Sequence, residues 1–182
     1  MAPALPLPTP APASLARRRQ LTLGVAAMLA AYSGNARSLG RPSGPVVLSV
    51  TGRVRMPNVG ERADFDMPML EALPQTSFAT RTPWFAQPRR FTGPLLRDVL
   101  SAAGAQGTKL RLVALNDYRV DMPYEDSQRH DVIVARLLDS QPMGVRDKGP
   151  LFVIYPFDSQ PDLKSAIYYS RSAWQLRSID VL

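Results

Sequence analysis

The stretch Phe91-Thr92-Gly93-Pro94-Leu95-Leu96-Arg97-Asp98-Val99-Leu100 carries the strongest helix signal in the sequence. Thr92 is a suitable N-cap, and Pro94 suits the first turn of a helix. Leu95, Leu96, Val99 and Leu100 then recur on one helical face. A glycine shortly afterwards, Gly104, is the expected end of the helix.

The chain around this helix consists mainly of short apolar and β-branched runs that end at Gly, Pro, Asn or Asp, a pattern typical of strands. Asp66, followed by Met67-Pro68, predicts a second short helix that stops before Pro74. Because short helices lie among many strands without regular βα alternation, the sequence predicts an α+β domain with mixed β-sheets. The predicted strands are residues 46–52, 76–82, 109–115, 119–122, 131–138, 151–155 and 173–181.

The first 36 residues are typical of a secretory signal peptide. A Pro/Ala-rich start is followed by Arg17-Arg18-Arg19 and by an apolar stretch at residues 21–31, which is shorter than the roughly 20 residues needed to span a bilayer. Gly34-Asn35-Ala36 is a plausible cleavage site. We therefore expect a periplasmic protein with no stable membrane insertion after cleavage, consisting of a linker at 37–45 and one domain at 46–182. An uncleaved membrane anchor is the alternative.

Composition excludes several classes of function. The 182 residues contain no cysteine and a single histidine, so thiolate and multi-histidine metal sites are excluded and no metal ligands are predicted. The net charge of +7 falls to 19 − 15 = +4 once the three arginines of the signal are removed. Acidic residues alternate with the remaining basic ones, so no nucleic-acid partner is expected.

Three polar and aromatic segments are candidates for binding. Arg81-Thr82-Pro83-Trp84 could offer a flat ring a stacking face and an arginine donor, or simply cap the core. Asn116-Asp117-Tyr118 lies between two strands, where turn chemistry alone accounts for it, although its amide and carboxylate could also face a cleft. Tyr155-Pro156-Phe157-Asp158 ends a buried strand with two aromatic rings and an acid.

A fourth segment, Tyr168-Tyr169-Ser170-Arg171-Ser172-Ala173-Trp174, holds more aromatic surface than a loop needs, which favours a ligand. By contrast, Val145–Pro150 is interpreted as a charged turn, and His130 as a surface residue. No nucleophile–base pair or phosphate-binding fingerprint occurs, so no catalytic residue is predicted.

The order of these segments resembles the molybdopterin-binding domain of sulfite-oxidase-like oxidoreductases. The likeness covers residues 46–182. Four segments carry the likeness. They are residues 91–100, the stretch Ala135-Arg136-Leu137-Leu138-Asp139-Ser140-Gln141-Pro142-Met143, the passage through Gly149-Pro150 into a buried strand, and Ala173–Val181. The resemblance implies the sulfite oxidase fold.

The sequence departs from that family where the family holds molybdenum through a cysteine. The equivalent strand here reads Phe78-Ala79-Thr80-Arg81-Thr82-Pro83-Trp84, and a threonine hydroxyl does not replace a thiolate. Trp174 stands where these enzymes tend to carry a lysine. The chain is more similar to cysteine-less periplasmic pterin-binding proteins. That resemblance implies a non-catalytic sensor of a reduced pterin, without molybdenum, that relays its signal to the periplasmic region of a membrane-bound cyclic di-GMP synthase or phosphodiesterase of the GGDEF/EAL type.

A pterin ring presents adjacent donors beside a carbonyl acceptor, so carboxylates, arginines, an amide and aromatic faces are the expected partners. A molybdopterin-dependent oxidoreductase and a periplasmic protein-interaction domain without a ligand are the alternatives. The carboxylates predicted to accept from the ring are Asp117 and Asp158, and the residues predicted to meet its carbonyl are Arg81, Arg171 and Asn116. The predicted stacking residues are Trp84, Tyr155, Phe157, Tyr169 and Trp174. Tyr118 and Ser172 complete the predicted binding site.

Overall fold

The computed structural model describes residues 39–182, so the predicted signal peptide at 1–36 lies outside the described residues. The four α-helices of this range are α1 Met67–Ala72, α2 Leu96–Ala102, α3 Asp126–Arg129 and α4 Ala166–Arg171. Its strands are β1 Val46–Gly52, β2 Ala63–Asp66, β3 Gln75–Thr82, β4 Phe85–Pro94, β5 Lys109–Ala114, β6 Arg119–Pro123, β7 Ile133–Ala135, β8 Leu137–Leu138, β9 Gln141–Pro142, β10 Phe152–Ile154, β11 Ala173–Trp174 and β12 Leu176–Val181. Within this range no helix has both the length and the apolar character needed to cross a membrane.

The strands form three sheets, and the fold is α+β as the sequence predicts. The largest has the order β2-β1-β12-β5-β6, with β1 and β12 parallel and the other neighbours antiparallel. A second sheet has the order β3-β4-β8-β9, and a third the order β11-β10-β7. The core lies where alternate residues of the largest sheet, such as Leu48, Val50 and Leu112, are buried together with Leu96 and Leu100 of α2.

The local signals at the start of the domain predict its structure correctly. Strand β1 has the predicted bounds, and Asp66 caps α1 by accepting a hydrogen bond from the Met69 N–H at 2.9 Å. Ser43 and Gly44, in the part of the predicted linker that the structure describes, also donate their N–H groups to Asp66. These backbone hydrogen bonds, with Met69 first, lower the pKa of the Asp66 carboxyl.

The predicted cap of the main helix is wrong. Thr92 lies in β4, where its backbone pairs with Ser77 on one side and Leu137 on the other, and α2 begins only at Leu96 without a side-chain cap. The start of β4 was not predicted, because Gln87-Pro88-Arg89-Arg90 lacks an apolar pattern. Pairing with two neighbouring strands outweighs the local helix signal. The helix ends at Ala102, and Gly104, whose φ is +60°, directly follows the C-cap residue Ala103, as the glycine signal predicts.

Two predicted strands are each divided in the structure. Residues 131–138 form β7 and β8, and residues 173–181 form β11 and β12, with the break at Gln175, whose φ is +53°. Trp174 therefore pairs with Phe152 in the three-stranded sheet, whereas Leu176 pairs with Ala114 in the five-stranded sheet. This break places the Trp174 indole where the two sheets meet.

Candidate functional site

Four of the predicted aromatic residues meet in one cluster, which also contains Phe152. Trp84 lies in the turn between β3 and β4. Its ring centroid is 5.5 Å from that of Phe152, 5.6 Å from Trp174, 6.2 Å from Tyr169 and 6.3 Å from Phe157. We call these five residues the aromatic cluster. Phe152 was missed because a phenylalanine within a buried strand gives no functional signal.

The members of the aromatic cluster differ in burial. Phe152 and Phe157 are fully buried, whereas Trp84, Tyr169 and Trp174 are half-buried. Tyr155, another predicted stacking residue, is also fully buried and lies against Phe157 at 6.1 Å between ring centroids. Tyr155 and Phe157 therefore act as core residues, and only the three half-buried rings are partly accessible from outside.

Trp174 forms one side of a pocket of about 290 Å³, which we call the ring pocket. Three other predicted residues, Asn116, Tyr118 and Ser172, line it together with Ala114 and Ala173. Tyr118 is 56% exposed at the mouth, and the buried Ser172 hydroxyl donates to the Tyr168 carbonyl at 3.3 Å. The structure thus brings one indole, one amide and two hydroxyl groups together.

The turn after β5 has the expected turn chemistry, and of its two candidate polar side chains only the Asn116 amide lines the ring pocket. The Asn116 Oδ1 atom accepts a hydrogen bond from the Tyr118 N–H at 3.2 Å, as turn chemistry requires, and Asn116 also lines the ring pocket. Asp117, at φ +65°, extends instead to the Arg177 guanidinium and does not line this pocket. The predicted pairing of Asp117 with a ligand is therefore not supported by its position.

Arg81 and Asp158 lie close together, but they also do not line the ring pocket. The Asp158 carboxylate accepts hydrogen bonds from the Arg81 backbone N–H at 2.7 Å and from Lys164 Nζ at 2.8 Å. These two interactions, with Lys164 the stronger, hold the pKa of Asp158 below its usual range. Both residues tie the end of β3 to the loop that follows β10.

Arg171, predicted to meet the ligand carbonyl, is engaged in a buried network. Its Nη1 donates to Asp126 Oδ2 at 2.8 Å, and the Tyr155 hydroxyl donates to the same oxygen at 2.7 Å. Burial raises the pKa of the Tyr155 phenol, and the bond to Asp126 raises it further. His130, expected at the surface, is half-buried against Tyr155 and Tyr168. Asp126 was missed because its neighbours are mostly charged or polar.

The hydroxyl groups of Thr80 and Thr82 at the end of β3 have hydrogen-bond partners within the fold. Thr80 is buried, and its Oγ1 accepts a hydrogen bond from the Asp158 N–H at 3.0 Å. Thr82 Oγ1 accepts one from the Trp84 N–H at 3.3 Å. Among residues 39–182 no group of three or more His, Asp or Glu side chains is arranged to hold a metal ion.

The comparisons with known proteins do not assign the chain to a family. No family model matches the sequence, and no curated protein matches it.

Proposed function

We propose that the protein is a non-catalytic periplasmic receptor for a free reduced pterin, which binds in the ring pocket. The observation that carries this proposal is the Trp174 face beside the Asn116 amide and the Ser172 and Tyr118 hydroxyls. A pocket of about 290 Å³ lies at the lower end of the range for small-molecule sites, which suits a bicyclic ring with a short substituent.

The chemistry of the pocket matches a pterin in two respects. The ring stacks on Trp174, and the Asn116 carboxamide, with one donor and one acceptor group, complements the amino-pyrimidinone edge. These contacts are between neutral groups, each contributing about 1 kcal/mol, rather than charge-assisted. We therefore expect a dissociation constant on the order of micromolar, after the costs of association.

The sequence supports a receptor rather than an enzyme, because it has no thiolate for molybdenum and its Thr80 and Thr82 hydroxyls already bond within the fold. By the resemblance described above, pterin occupancy is the signal relayed to a membrane-bound enzyme of cyclic di-GMP metabolism. The family likeness, the sulfite oxidase fold and the periplasmic location are parts of the same proposal.

The proposal is tested by anaerobic calorimetric titration with tetrahydrobiopterin. Asn116→Ala should weaken binding by about fivefold to tenfold, because one hydrogen bond and its geometry are lost. Asp117→Asn is the matched control on the same turn, and it should bind as the wild type does. Trp174→Leu should weaken binding further, and Trp174→Phe should restore part of it.

Three results would contradict the proposal. Absence of saturable pterin binding would contradict the receptor function and favour the alternative of a protein-interaction domain without a ligand. Equal effects of Asn116→Ala and Asp117→Asn would move the ligand away from the ring pocket. Stoichiometric molybdenum in protein purified from the periplasm, measured by elemental analysis, would identify an oxidoreductase.

A further inference from the structure

A second pocket, of about 400 Å³, shares no lining residue with the ring pocket and combines apolar and basic walls. Phe85, Leu138 and Met143 form its apolar wall, and Arg89, Arg146 and Lys148 supply three positive charges. We call it the basic pocket. Its volume lies within the range of small-molecule sites.

Two of the cations that line the basic pocket, Arg89 and Lys148, lie close to aromatic rings. The Arg89 guanidinium carbon lies 5.0 Å from the Phe85 ring centroid. The Lys148 Nζ lies 5.8 Å from the Phe85 centroid and 4.5 Å from the Trp174 centroid. Lys148 is therefore held between two rings, each of which stabilises a cation at such distances.

The main chain of Lys148 is held in place at the end of a 3₁₀ turn, Val145–Asp147. Its φ is +73°, a left-handed conformation that is uncommon outside glycine, and it is retained only where neighbouring groups stabilise it. Gln175 provides that support, since its N–H donates to the Lys148 carbonyl at 3.0 Å and its Nε2 to the Val145 carbonyl at 2.7 Å.

The charge of the basic pocket favours an anion. Asp139 and Asp147 also line the pocket, but Asp139 already pairs with Arg89. Neither Arg146 nor Lys148 forms an ion pair within residues 39–182, and Asp147 is the remaining acid beside them. With three basic and two acidic side chains in the lining, one positive charge is left uncompensated in this pocket.

We propose that the basic pocket is a second binding site, which takes a flat organic anion. The aromatic ring of this ligand packs on Phe85 and the apolar wall, and its acidic group binds Lys148 and Arg146. The site is separate from the ring pocket and does not depend on pterin binding.

The experiment is calorimetric titration of the full chain with three probes: naphthoate, which has a ring and a charge; naphthamide, which has the ring alone; and inorganic phosphate, which has the charge alone. Naphthoate should bind at least about tenfold more tightly than either of the others. Lys148→Gln should abolish that preference. Lys109→Gln, which removes a lysine of the β5–β6 pair, is the matched control and should keep it.

The location is checked by NMR, because the chain has two tryptophans and therefore two indole N–H signals. Naphthoate should shift the Trp174 signal in the wild type and in Asn116→Ala. Equal affinity for naphthoate and naphthamide, or unchanged binding in both Lys148→Gln and Arg146→Gln, would overturn the second site. Loss of naphthoate binding in Asn116→Ala would place this probe in the ring pocket and overturn it as well. None of these results alters the tetrahydrobiopterin titration, so the two proposals fail separately.

Discussion

Replacement of Asp126 by asparagine tests whether the buried network holds α4 in place. Asp126 Oδ2 accepts hydrogen bonds from both Arg171 and Tyr155, and its side chain is 10% exposed. An asparagine of nearly the same size can accept the Tyr155 hydroxyl bond. It cannot neutralise the Arg171 guanidinium, whose side chain is 24% exposed.

The expected cost follows from these partners. A hydrogen bond to a charged group contributes about 1.5–3 kcal/mol, and leaving the partner charge partly buried and unpaired adds to the loss. We expect Asp126→Asn to lower the free energy of unfolding by about 2–4 kcal/mol. In urea denaturation this corresponds to a midpoint lower by about 1–2 M.

Asp131→Asn is the control, since it makes the same change in an exposed pair. Asp131 binds Arg97, and the two side chains are 63% and 34% exposed, so the expected cost is below about 1 kcal/mol. Urea denaturation curves of both variants are compared with that of the wild type, measured by far-ultraviolet circular dichroism. A cost for Asp126→Asn equal to that for Asp131→Asn would refute the reasoning about the buried network.

Two further predictions concern stability. Arg111, with Lys109, lowers the pKa of Asp121 to about 2, below the value of about 3.9 in the unfolded chain. The ionised carboxylate therefore stabilises the fold at neutral pH by less than about 1 kcal/mol, since the pair is exposed. The difference between wild type and Asp121→Asn in denaturation should vanish as the pH falls from about 4 to about 2, and a difference that persists there would contradict this. Gly93→Ala places a Cβ 2.0 Å from the Val134 carbonyl oxygen and should cost at least about 2 kcal/mol in the same assay, whereas Gly40→Ala meets no atom within 4 Å and should be neutral.

The features that the sequence predicts correctly depend on neighbouring residues. The apolar run of β1 and the Asp66 cap of α1 are examples, because their signals lie within a few positions of the structure they specify. The Thr92 cap failed for the opposite reason. Pairing of β4 with β3 and β8 decides that segment, and those partners are distant in the sequence.

The same distinction applies to the candidate site. Trp84 and Trp174 were predicted as stacking residues for one ligand, and their rings do lie together, 5.6 Å apart. Both also contact Phe152, which pairs with Trp174 across two strands. Asp126 is paired with Arg171, which lies 45 residues further along the chain. No local pattern reports such pairings, so the roles of Asp126 and Lys148 became visible only in the structure.

The break at Gln175 limits how the ring pocket can change shape. One residue joins Trp174 in the three-stranded sheet to Leu176 in the five-stranded sheet, so their Cα atoms can separate by no more than about 7 Å. Because the linker is this short, the two sheets cannot move apart at this point to make room for a larger ligand. Enlargement must come from rotation of the Trp174 or Tyr118 side chains, or from bending of the turn that carries Asn116.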